Sequence, residues 1–464
     1  MLKFMDVMSS VLAELDRTTM HASLGAAAME SMTLLNEIAE RYPEAISFAA
    51  GRPYEGFYDV AQAHEYLRAF CAYLRADRGM TDRQVARTLF QYGDTKGIIT
   101  DLVARNLAVD EGIEVDPGSV VVTVGCQEAM FLVLRALRAD DRDLLLAPRP
   151  TYVGLTGAAL LADLPVTGVA TGPNGIELDD LVAKLRLARE TGRRVRACYV
   201  TPDFANPVGV SMDVAARRRL LEIAAAENIL LLEDNAYGLF HTDAVAGPVA
   251  GAIDSAEGAA GAGRPPTLKA LDRDHRVVYL GSYAKTGVPG ARVGFVVAEQ
   301  RMAGGADGVG GGAMFADELA KIKSMLTVNT SPIAQAMIGG KLLSNGCSMA
   351  AANRPEAAIY SRNMRQLLDG LSKRLGDHID VSWNVPSGGF FVVLDVPFVV
   401  DDALLELAAR RFGVLFTPMH HFFGTTAGFH QLRLSISTLE PEQIEAGLDR
   451  LTALITGRLA GGPG

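Results

Sequence analysis

The feature that most constrains this chain is a series of short, continuously apolar segments through its middle, each bounded by turn residues. Continuous hydrophobicity predicts strands buried on both faces, which is typical of parallel sheets covered by helices. Helical patterns at Ala129–Leu137 and Val214–Ala226 separate some of these segments. The sequence therefore predicts an α/β fold with a largely parallel central sheet. The predicted strands are Val120–Val124, Leu144–Ala147, Val195–Val200, Ile229–Leu232, Val277–Leu280 and Val293–Val297.

The length of the chain predicts more than one domain, because 464 residues exceed what a single hydrophobic core usually supports. After about Ala334 the pattern changes to a long helical region, then strand-like stretches at Val381–Val396 and Gln431–Ser437, and a final helix. We expect an N-terminal arm at 1–41, a large domain at 42–333 and a smaller C-terminal α+β domain at 334–464. Stretches rich in glycine and alanine predict flexible insertions at 244–266 and 303–312.

Composition and charge exclude several classes of function. Hydrophobic residues make up 49% and charged residues 21%, as in ordinary folded, soluble proteins. A net charge of −10 offers no general attraction to nucleic acid or to an anionic membrane. The four cysteines form no CxxC pair, so we expect free thiols and no metal site. Without a signal peptide or an apolar span, the protein is expected to be cytoplasmic.

One segment leads from a strand to a lysine in a glycine-rich turn. The apolar strand Val277–Leu280 precedes Lys285, and Arg292 follows seven positions later. Covalent chemistry between a lysine and a carbonyl compound requires a neutral amine, and a second cation nearby lowers the pKa of a lysine in that direction. An isolated lysine lies more often on the surface, so this interpretation depends on the neighbouring motifs.

Another apolar strand ends in the acidic pair Glu233 and Asp234, and Tyr237 follows three residues after Asp234. A carboxylate at a strand end can hold a pyridine nitrogen protonated, and a tyrosine nearby can reach a hydroxyl on the same ring. Asp234 is the candidate for the first role and Tyr237 for the second. The alternative is that the acidic pair only ends the strand in solvent.

Two further strand-end segments suit an anion or a polar ring. Gly125, Cys126 and Gln127 follow the strand Val120–Val124 and open a helix, an arrangement that points backbone N–H groups at a phosphate. Asn206 lies in a proline-rich segment after another strand, where it can make a polar contact. Taken singly, a plain tight turn explains the first fragment better, and a proline-rich loop can explain the second.

Together and in this order, these segments resemble the fold-type I enzymes that bind pyridoxal 5′-phosphate (PLP). The specific likeness is to the class I and II aminotransferases of the aminoadipate and kynurenine aminotransferase group. It extends from about Tyr42 to the C-terminus. The resemblance implies PLP fold type I, in which a large domain with a mostly parallel sheet is joined to a smaller C-terminal α+β domain.

The resemblance also implies a role for each matching residue. Lys285 corresponds to the lysine that forms a Schiff base with PLP and moves a proton, and Asp234 and Tyr237 act with it in catalysis. PLP is expected to contact Gly125, Cys126, Gln127, Tyr152, Asn206, Asp234, Tyr237, Ser282, Lys285 and Arg292. The substrate is expected to contact Gly51, Tyr92, Asn206 and Arg433. Of these, Arg433 corresponds to the arginine that pairs with the α-carboxylate, a bidentate role that suits guanidinium.

Two residues depart from the family pattern, and three segments indicate a particular subgroup of the family. Ala284 offers no hydroxyl where the family often has serine, and Cys126 replaces a common serine. In related enzymes the tyrosine that matches Tyr92 comes from the other subunit, which implies a homodimer with a shared active site. Similarity to the dihydroxyphenylglycine aminotransferase-like group of bacterial specialised metabolism is carried by the segments 47–56, 90–97 and 323–332.

The function implied is transfer of an amino group between an amino acid, of aromatic or aryl-glycine type, and a 2-keto acid in specialised metabolism. The same apparatus supports β- or γ-replacement or carbon–carbon bond formation, because the pocket decides which bond breaks. A transcription regulator with a related domain is another alternative, but the segment before Tyr42 is short and insufficiently basic for a DNA-binding module. A nicotinamide-dependent dehydrogenase lacks support, since no GxGxxG motif follows an early strand.

Overall fold

The computed structural model describes residues 14–241, 264–303, 312–424 and 427–461. The helices are α1 Ala27–Arg41, α2 Val60–Ala76, α3 Asp82–Phe90, α4 Thr100–Glu111, α5 Gly125–Leu137, α6 Val153–Leu161, α7 Leu178–Glu190, α8 Val214–Ala226, α9 Leu268–Leu271, α10 Phe315–Leu326, α11 Pro332–Ser344, α12 Met349–Ala352, α13 Arg354–Leu375, α14 Asp402–Leu407 and α15 Pro441–Leu459. The strands are β1 Ile46–Ser47, β2 Val120–Val124, β3 Asp143–Arg149, β4 Val166–Gly172, β5 Gly175–Ile176, β6 Arg194–Val200, β7 Leu230–Asn235, β8 Val277–Ser282, β9 Val293–Val297, β10 Ser382–Trp383, β11 Phe391–Asp395, β12 Val414–Leu415, β13 Thr417–Pro418 and β14 Gln431–Ser435. None of the helices in the described ranges is both long and apolar enough to cross a lipid bilayer.

The centre of the described structure is an eight-stranded sheet in the order β2, β9, β8, β7, β6, β3, β4, β5. The strands from β8 to β4 run parallel, whereas β9 runs antiparallel to both of its neighbours. Buried residues alternate between two hydrophobic clusters along β3, with Leu144 and Leu146 in one and Leu145 and Ala147 in the other. Both faces of the strand are therefore covered, which explains its continuous hydrophobicity and confirms the predicted α/β fold.

Sequence patterns locate the buried elements of this region more accurately than the half-buried ones. The predicted strands Val120–Val124 and Val293–Val297 and the predicted helix Val214–Ala226 are confirmed to the residue. The strand β4 was not predicted, because most of its side chains are only half-buried and it contains no continuous apolar segment. The predicted insertions at 244–266 and 303–312 lie mostly outside the described residues.

A second sheet forms in the C-terminal region, with the antiparallel order β10, β11, β14, β13. Its strand β14 contains Arg433, which lies opposite Val393 of β11 and Thr417 of β13. The segment that follows β1 joins this region, because β1 pairs with β12 and the backbone N–H of Ser435 donates to the carbonyl of Phe48 at 2.7 Å. Residues 49–52 therefore reach the junction of the two sheets. The domain limits at 42 and 334 stay a prediction.

A buried arginine holds the connection between β6 and α8. Arg217 is fully buried, and its guanidinium donates to the Asp203 carboxylate at 2.5 and 3.2 Å. It also donates to the carbonyl groups of Pro202 at 3.1 Å and Met212 at 3.0 Å. Both ends of the loop that contains Asn206 are thus fixed to the same helix.

We expect Arg217→Met to lower the free energy of unfolding by about 3–5 kcal/mol, because the Asp203 carboxylate stays buried without its main partner. Urea unfolding measures this change. Arg219→Met on the same helix is the matched control, since Arg219 is exposed and pairs with Glu222 at 2.9 Å, also exposed. An exposed pair contributes about 0–1 kcal/mol. Equal losses in the two variants would contradict this role for Arg217.

Candidate active site

A cavity of about 250 Å³ lies where the carboxyl ends of the central strands meet the C-terminal sheet. Parallel strands end together at one edge of a sheet, where the loops that follow them can enclose a ligand. Eleven of the predicted site residues line this cavity: Gly51, Cys126, Gln127, Tyr152, Asn206, Asp234, Tyr237, Ser282, Lys285, Arg292 and Arg433. The structure therefore brings together residues that span most of the chain.

Two predicted site residues do not line the cavity. Gly125 lies just behind its wall, where a Cβ atom would come within 2.4 Å of Arg292 Nη2. Tyr92 is 81% exposed and lies outside the cavity of its own chain.

Lys285 lies in the turn between β8 and β9, and its amine points into the cavity. Its Nζ donates to the Gly51 carbonyl at 2.6 Å and lies 5.8 Å from the centre of the Tyr237 ring. Burial, together with the positive charges of Arg433, Arg292 and Arg52, lowers the pKa of Lys285 to about 8, although Asp234 opposes this change. The neutral fraction of the amine near physiological pH is therefore far larger than that of an ordinary lysine, and the neutral form is the one that attacks a carbonyl carbon.

Asp234 is the second-last residue of β7 and is almost completely buried. Its carboxylate accepts a hydrogen bond from the Tyr199 hydroxyl at 2.6 Å, and the Cys126 thiol lies 3.8 Å away. Burial raises the pKa of Asp234, while the bonds from Tyr199 and Cys126 and the charge of Lys285 lower it. A buried carboxylate in this position favours a cationic partner such as a protonated ring nitrogen.

Tyr199 was not predicted, although the sequence contains a signal for it. It lies in the buried second half of β6, residues 197–200, and is 1% exposed, so its hydroxyl needs a hydrogen-bond partner inside the protein. The neighbouring strand β7 supplies that partner through Asp234. A tyrosine in a buried, apolar stretch of a strand therefore indicates a polar contact.

One end of the cavity fits an anion. Helix α5 begins at Gly125 directly after β2, and the first-turn N–H groups of a helix have no partners within it. Gly125 has a φ of +69°, and close contact with Arg292 leaves no room for a side chain there. Ser282 and Gln127 also face this end, and Gln127 is held by a bond to the Gly154 carbonyl at 2.6 Å. These donors fit a phosphate group.

Arg433 closes the opposite side of the cavity and is 4% exposed. Its guanidinium donates to Asn206 Oδ1 at 2.5 Å, to the Ala49 carbonyl at 3.1 Å and to Thr417 Oγ1 at 3.2 Å. Among the described residues it has no carboxylate partner, and its Nε has no hydrogen-bond partner. Burial lowers the pKa of Arg433 to about 10. A buried cation without an anion indicates that a carboxylate ligand completes the site.

Two aromatic rings that were not predicted shape the wall around Arg433. The rings of Phe391 and Phe422 lie 4.2 and 4.9 Å from the guanidinium carbon. They exclude water from the cation and add cation–π attraction. Phe422 lies in a short 3-10 turn, and the strand β11 that supplies Phe391 shows no site motif in the sequence. Only their packing identifies them as part of the site.

Known proteins are similar to this chain over most of its length. A profile of the family described as "Aminotransferase class I and II" matches residues 55–451. The chain is 60% identical over 446 residues to the (S)-3,5-dihydroxyphenylglycine transaminase of Amycolatopsis orientalis, and the match covers 96% of each chain.

Solved structures share the fold over nearly the whole chain. An archaeal alanine:glyoxylate aminotransferase superposes with a TM-score of 0.77 at 23% identity, covering 96% of this chain and all of the other. The alpha-aminoadipate aminotransferase LysN from Thermus thermophilus, complexed with N-(5′-phosphopyridoxyl)-L-leucine, has a TM-score of 0.71 at 27% identity. That match covers 93% of this chain and 97% of the other.

The pKa of Lys285 predicts a distinctive pH dependence of its reactivity. Only the neutral amine reacts with formaldehyde, so reductive methylation of Lys285 should reach half of its maximal rate near pH 8 in protein freed of bound small molecules. Lys321 is the comparison, because its hydrogen bond to Glu318 raises its pKa above the ordinary value. Peptide mass spectrometry follows both sites. A half-maximal rate for Lys285 near that of Lys321 would contradict the lowered pKa.

Proposed function

The chain belongs to the class I and II aminotransferases, and on that basis we propose that its amino-acid substrate is an aryl-glycine such as (S)-3,5-dihydroxyphenylglycine, in specialised metabolism. It is a PLP-dependent transferase that moves an amino group between an amino acid and a 2-keto acid. The substrate proposal rests on the high identity to the Amycolatopsis orientalis transaminase, which extends over nearly the whole of both chains. The expected keto acid is the aryl-glyoxylate with the same ring.

The charged and polar side chains that line the cavity match the groups of PLP. Arg292, Ser282 and the start of α5 would hold the phosphate, and Asp234 would hold the ring nitrogen in its protonated form. Bound PLP supplies an electron-accepting ring that stabilises the negative charge formed at the substrate Cα. Tyr237 and Asn206 would contact the ring hydroxyl, and Tyr152 would cover one face of the ring. The support is that all of these side chains face one cavity.

Lys285 acts as the base that removes the proton from the substrate Cα. The geometry supports this role because its amine lies inside the cavity and its pKa is lowered to about 8. A base whose pKa lies near the working pH can both accept and return a proton. The Gly51 carbonyl orients the amine, since it accepts a hydrogen bond from Nζ at 2.6 Å. Asp234 would thus stabilise the positive charge of the ring nitrogen, whereas Lys285 would act at the substrate Cα, where negative charge forms.

Arg433 binds the substrate carboxylate. It lacks an acidic partner among the described residues, and Asn206 and Thr417 hold its guanidinium in place. A carboxylate ligand would replace the missing negative charge through two parallel hydrogen bonds. In an aryl-glycine the ring is bonded directly to Cα, so the ring lies close to the wall beside Lys285. Ala50, Gly51 and Arg52 line the same cavity, and a guanidinium can donate a hydrogen bond to a phenolic oxygen.

A homodimer with a shared active site is the assembly that we propose. The tyrosine at 92 is 81% exposed, as expected of a side chain that is covered by another subunit. Phe90, two residues before Tyr92, is also exposed. So are Met325 near the end of α10 and Val328 just after it. Large exposed apolar and aromatic side chains are enriched where subunits meet. We place the enzyme in the cytoplasm, which is consistent with its four free thiols.

Product analysis tests the proposed substrate. Holoenzyme and 2-oxoglutarate are combined with one amino acid at a time: (S)-3,5-dihydroxyphenylglycine, L-phenylalanine or L-2-aminoadipate. The keto acids formed are identified by mass spectrometry. We expect kcat/KM to be at least about tenfold higher for the aryl-glycine, which corresponds to about 1.4 kcal/mol in transition-state binding. A preference for another donor would refute the substrate. Products of β- or γ-replacement or of carbon–carbon bond formation would refute transamination itself.

Arg433→Lys tests the carboxylate site. Lysine keeps the positive charge but cannot form two parallel hydrogen bonds. We therefore expect kcat/KM for the amino acid to fall by a factor that corresponds to about 2–5 kcal/mol of lost transition-state binding. The absorption spectrum and affinity of bound PLP should change little. Arg410→Lys is the control, because Arg410 is exposed and pairs with Glu406 at 3.2 Å. Loss of PLP with unchanged kinetics for the amino acid would assign Arg433 a different role.

A further inference from the structure

Three side chains meet outside the cavity, at the edge of the C-terminal sheet. Asp402 is the first residue of α14, and His420 and His421 lie in the 3-10 turn Met419–Phe422 that follows β13. One oxygen or nitrogen atom from each of the three lies within 4.8 Å of the other two. Asp402 Oδ1 is 2.7 Å from His421 Nε2 and 3.4 Å from His420 Nε2. None of them contributes to the wall around Lys285.

Hydrogen bonds within the cluster leave one nitrogen unsatisfied. His420 Nε2 is buried and has no hydrogen-bond partner among the described residues, although the Asp402 oxygen lies nearby. A buried nitrogen without a hydrogen-bond partner is energetically unfavourable. Its lone pair can instead be satisfied by a bound cation that the Asp402 carboxylate and His421 also contact.

The surroundings orient both imidazole rings toward Asp402. His420 stacks on Phe429 with the ring centres 4.7 Å apart and the planes 9° apart. The ring of His421 lies 4.1 Å from that of His420, and its Nδ1 is 2.8 Å from Ser31 Oγ. When Nδ1–H donates to that hydroxyl, Nε2 carries the lone pair and faces Asp402. Such an outer hydrogen bond is a usual feature of histidines that bind metals.

We propose that Asp402, His420 and His421 bind one divalent transition-metal ion, for which Zn²⁺ is the best candidate. Two imidazole nitrogens and a carboxylate oxygen form a ligand set that zinc accepts, with water in the fourth position. Asp402 is half exposed, which gives an ion and a water molecule access from solvent. The cysteine spacing predicted no metal site, and no local motif indicates this one, because Asp402 lies far from the two histidines in the chain.

The position of this site connects it to the cavity wall. His421 directly precedes Phe422, whose ring packs on Arg433 and whose carbonyl accepts a hydrogen bond from the Thr151 N–H at 3.0 Å. A bound ion would join α14 to this turn, and Ser31 would add a contact from α1. The ion would therefore fix the turn that holds Phe422 in place. This proposal does not depend on which amino acid the enzyme uses.

The test measures Zn²⁺ binding to the holoenzyme by equilibrium dialysis. We expect one saturable ion per chain in the unchanged protein. Asp402→Asn and His421→Gln should weaken binding by more than the roughly 10–100-fold that a change in an outer hydrogen bond causes, and Ser31→Ala should fall within that range. His275→Gln is the matched control, because His275 also lies beside a carboxylate, Glu299, at 3.6 Å but has no second histidine. It should bind Zn²⁺ as the unchanged protein does.

A second measurement identifies the ligands. Co²⁺ at the same site should show the visible bands of a four-coordinate nitrogen and oxygen site, without the sulfur charge-transfer band that a cysteine ligand would produce. PLP content and the unfolding midpoint confirm that each variant is folded. The proposal is overturned if saturable binding is absent, if Asp402→Asn and His421→Gln bind as the unchanged protein does, or if a sulfur band appears.

Discussion

Desolvation of three charged side chains in one cavity is the constraint on which the rest of the structure depends. Removal from water favours the neutral forms of Lys285 and Asp234 and leaves Arg433 as a cation without a carboxylate partner among the described residues. Hydrogen bonds hold each group in place: Lys285 donates to the Gly51 carbonyl, Asp234 accepts from the Tyr199 hydroxyl, and Arg433 donates to the Asn206 amide oxygen. Ligands that carry a phosphate, a protonated ring and a carboxylate compensate these buried groups, so the charges of the cavity indicate the charges of the molecules that bind there.

Two sheets have to meet for these charges to share a cavity. The parallel central sheet supplies Asp234 and Lys285 at the ends of neighbouring strands, whereas Arg433 comes from the middle of the C-terminal sheet. The segment after β1 connects them, because the Ala49 carbonyl accepts from Arg433 and the Gly51 carbonyl accepts from Lys285. A change in the relative position of the two sheets would therefore alter both the base and the carboxylate site.

Residues behind the cavity wall hold the side chains that line it. The buried pair of Arg217 and Asp203 fixes the loop of Asn206, which in turn holds the Arg433 guanidinium. On the other side, the turn that contains His421 also contains Phe422, which packs on the same guanidinium. The geometry of Arg433 is thus set from two directions by contacts that do not touch a substrate. This arrangement is typical of sites that hold reactive groups on rigid elements.

Local patterns in the sequence were sufficient to predict the buried strands, the fold class and the strand-end positions of Lys285 and Asp234. A strand buried on both faces must be apolar throughout, and polar residues at its end stand out against that background. The half-buried strand β4, the antiparallel direction of β9 and the identity of Asp234 as the partner of the Tyr199 hydroxyl were not predictable in this way. The same holds for the packing of Phe391 and Phe422 on Arg433 and for the meeting of Asp402 with His420 and His421. Each of these depends on residues far apart in the chain, whose distances are set by the packing of the two sheets and not by any local spacing of residue types.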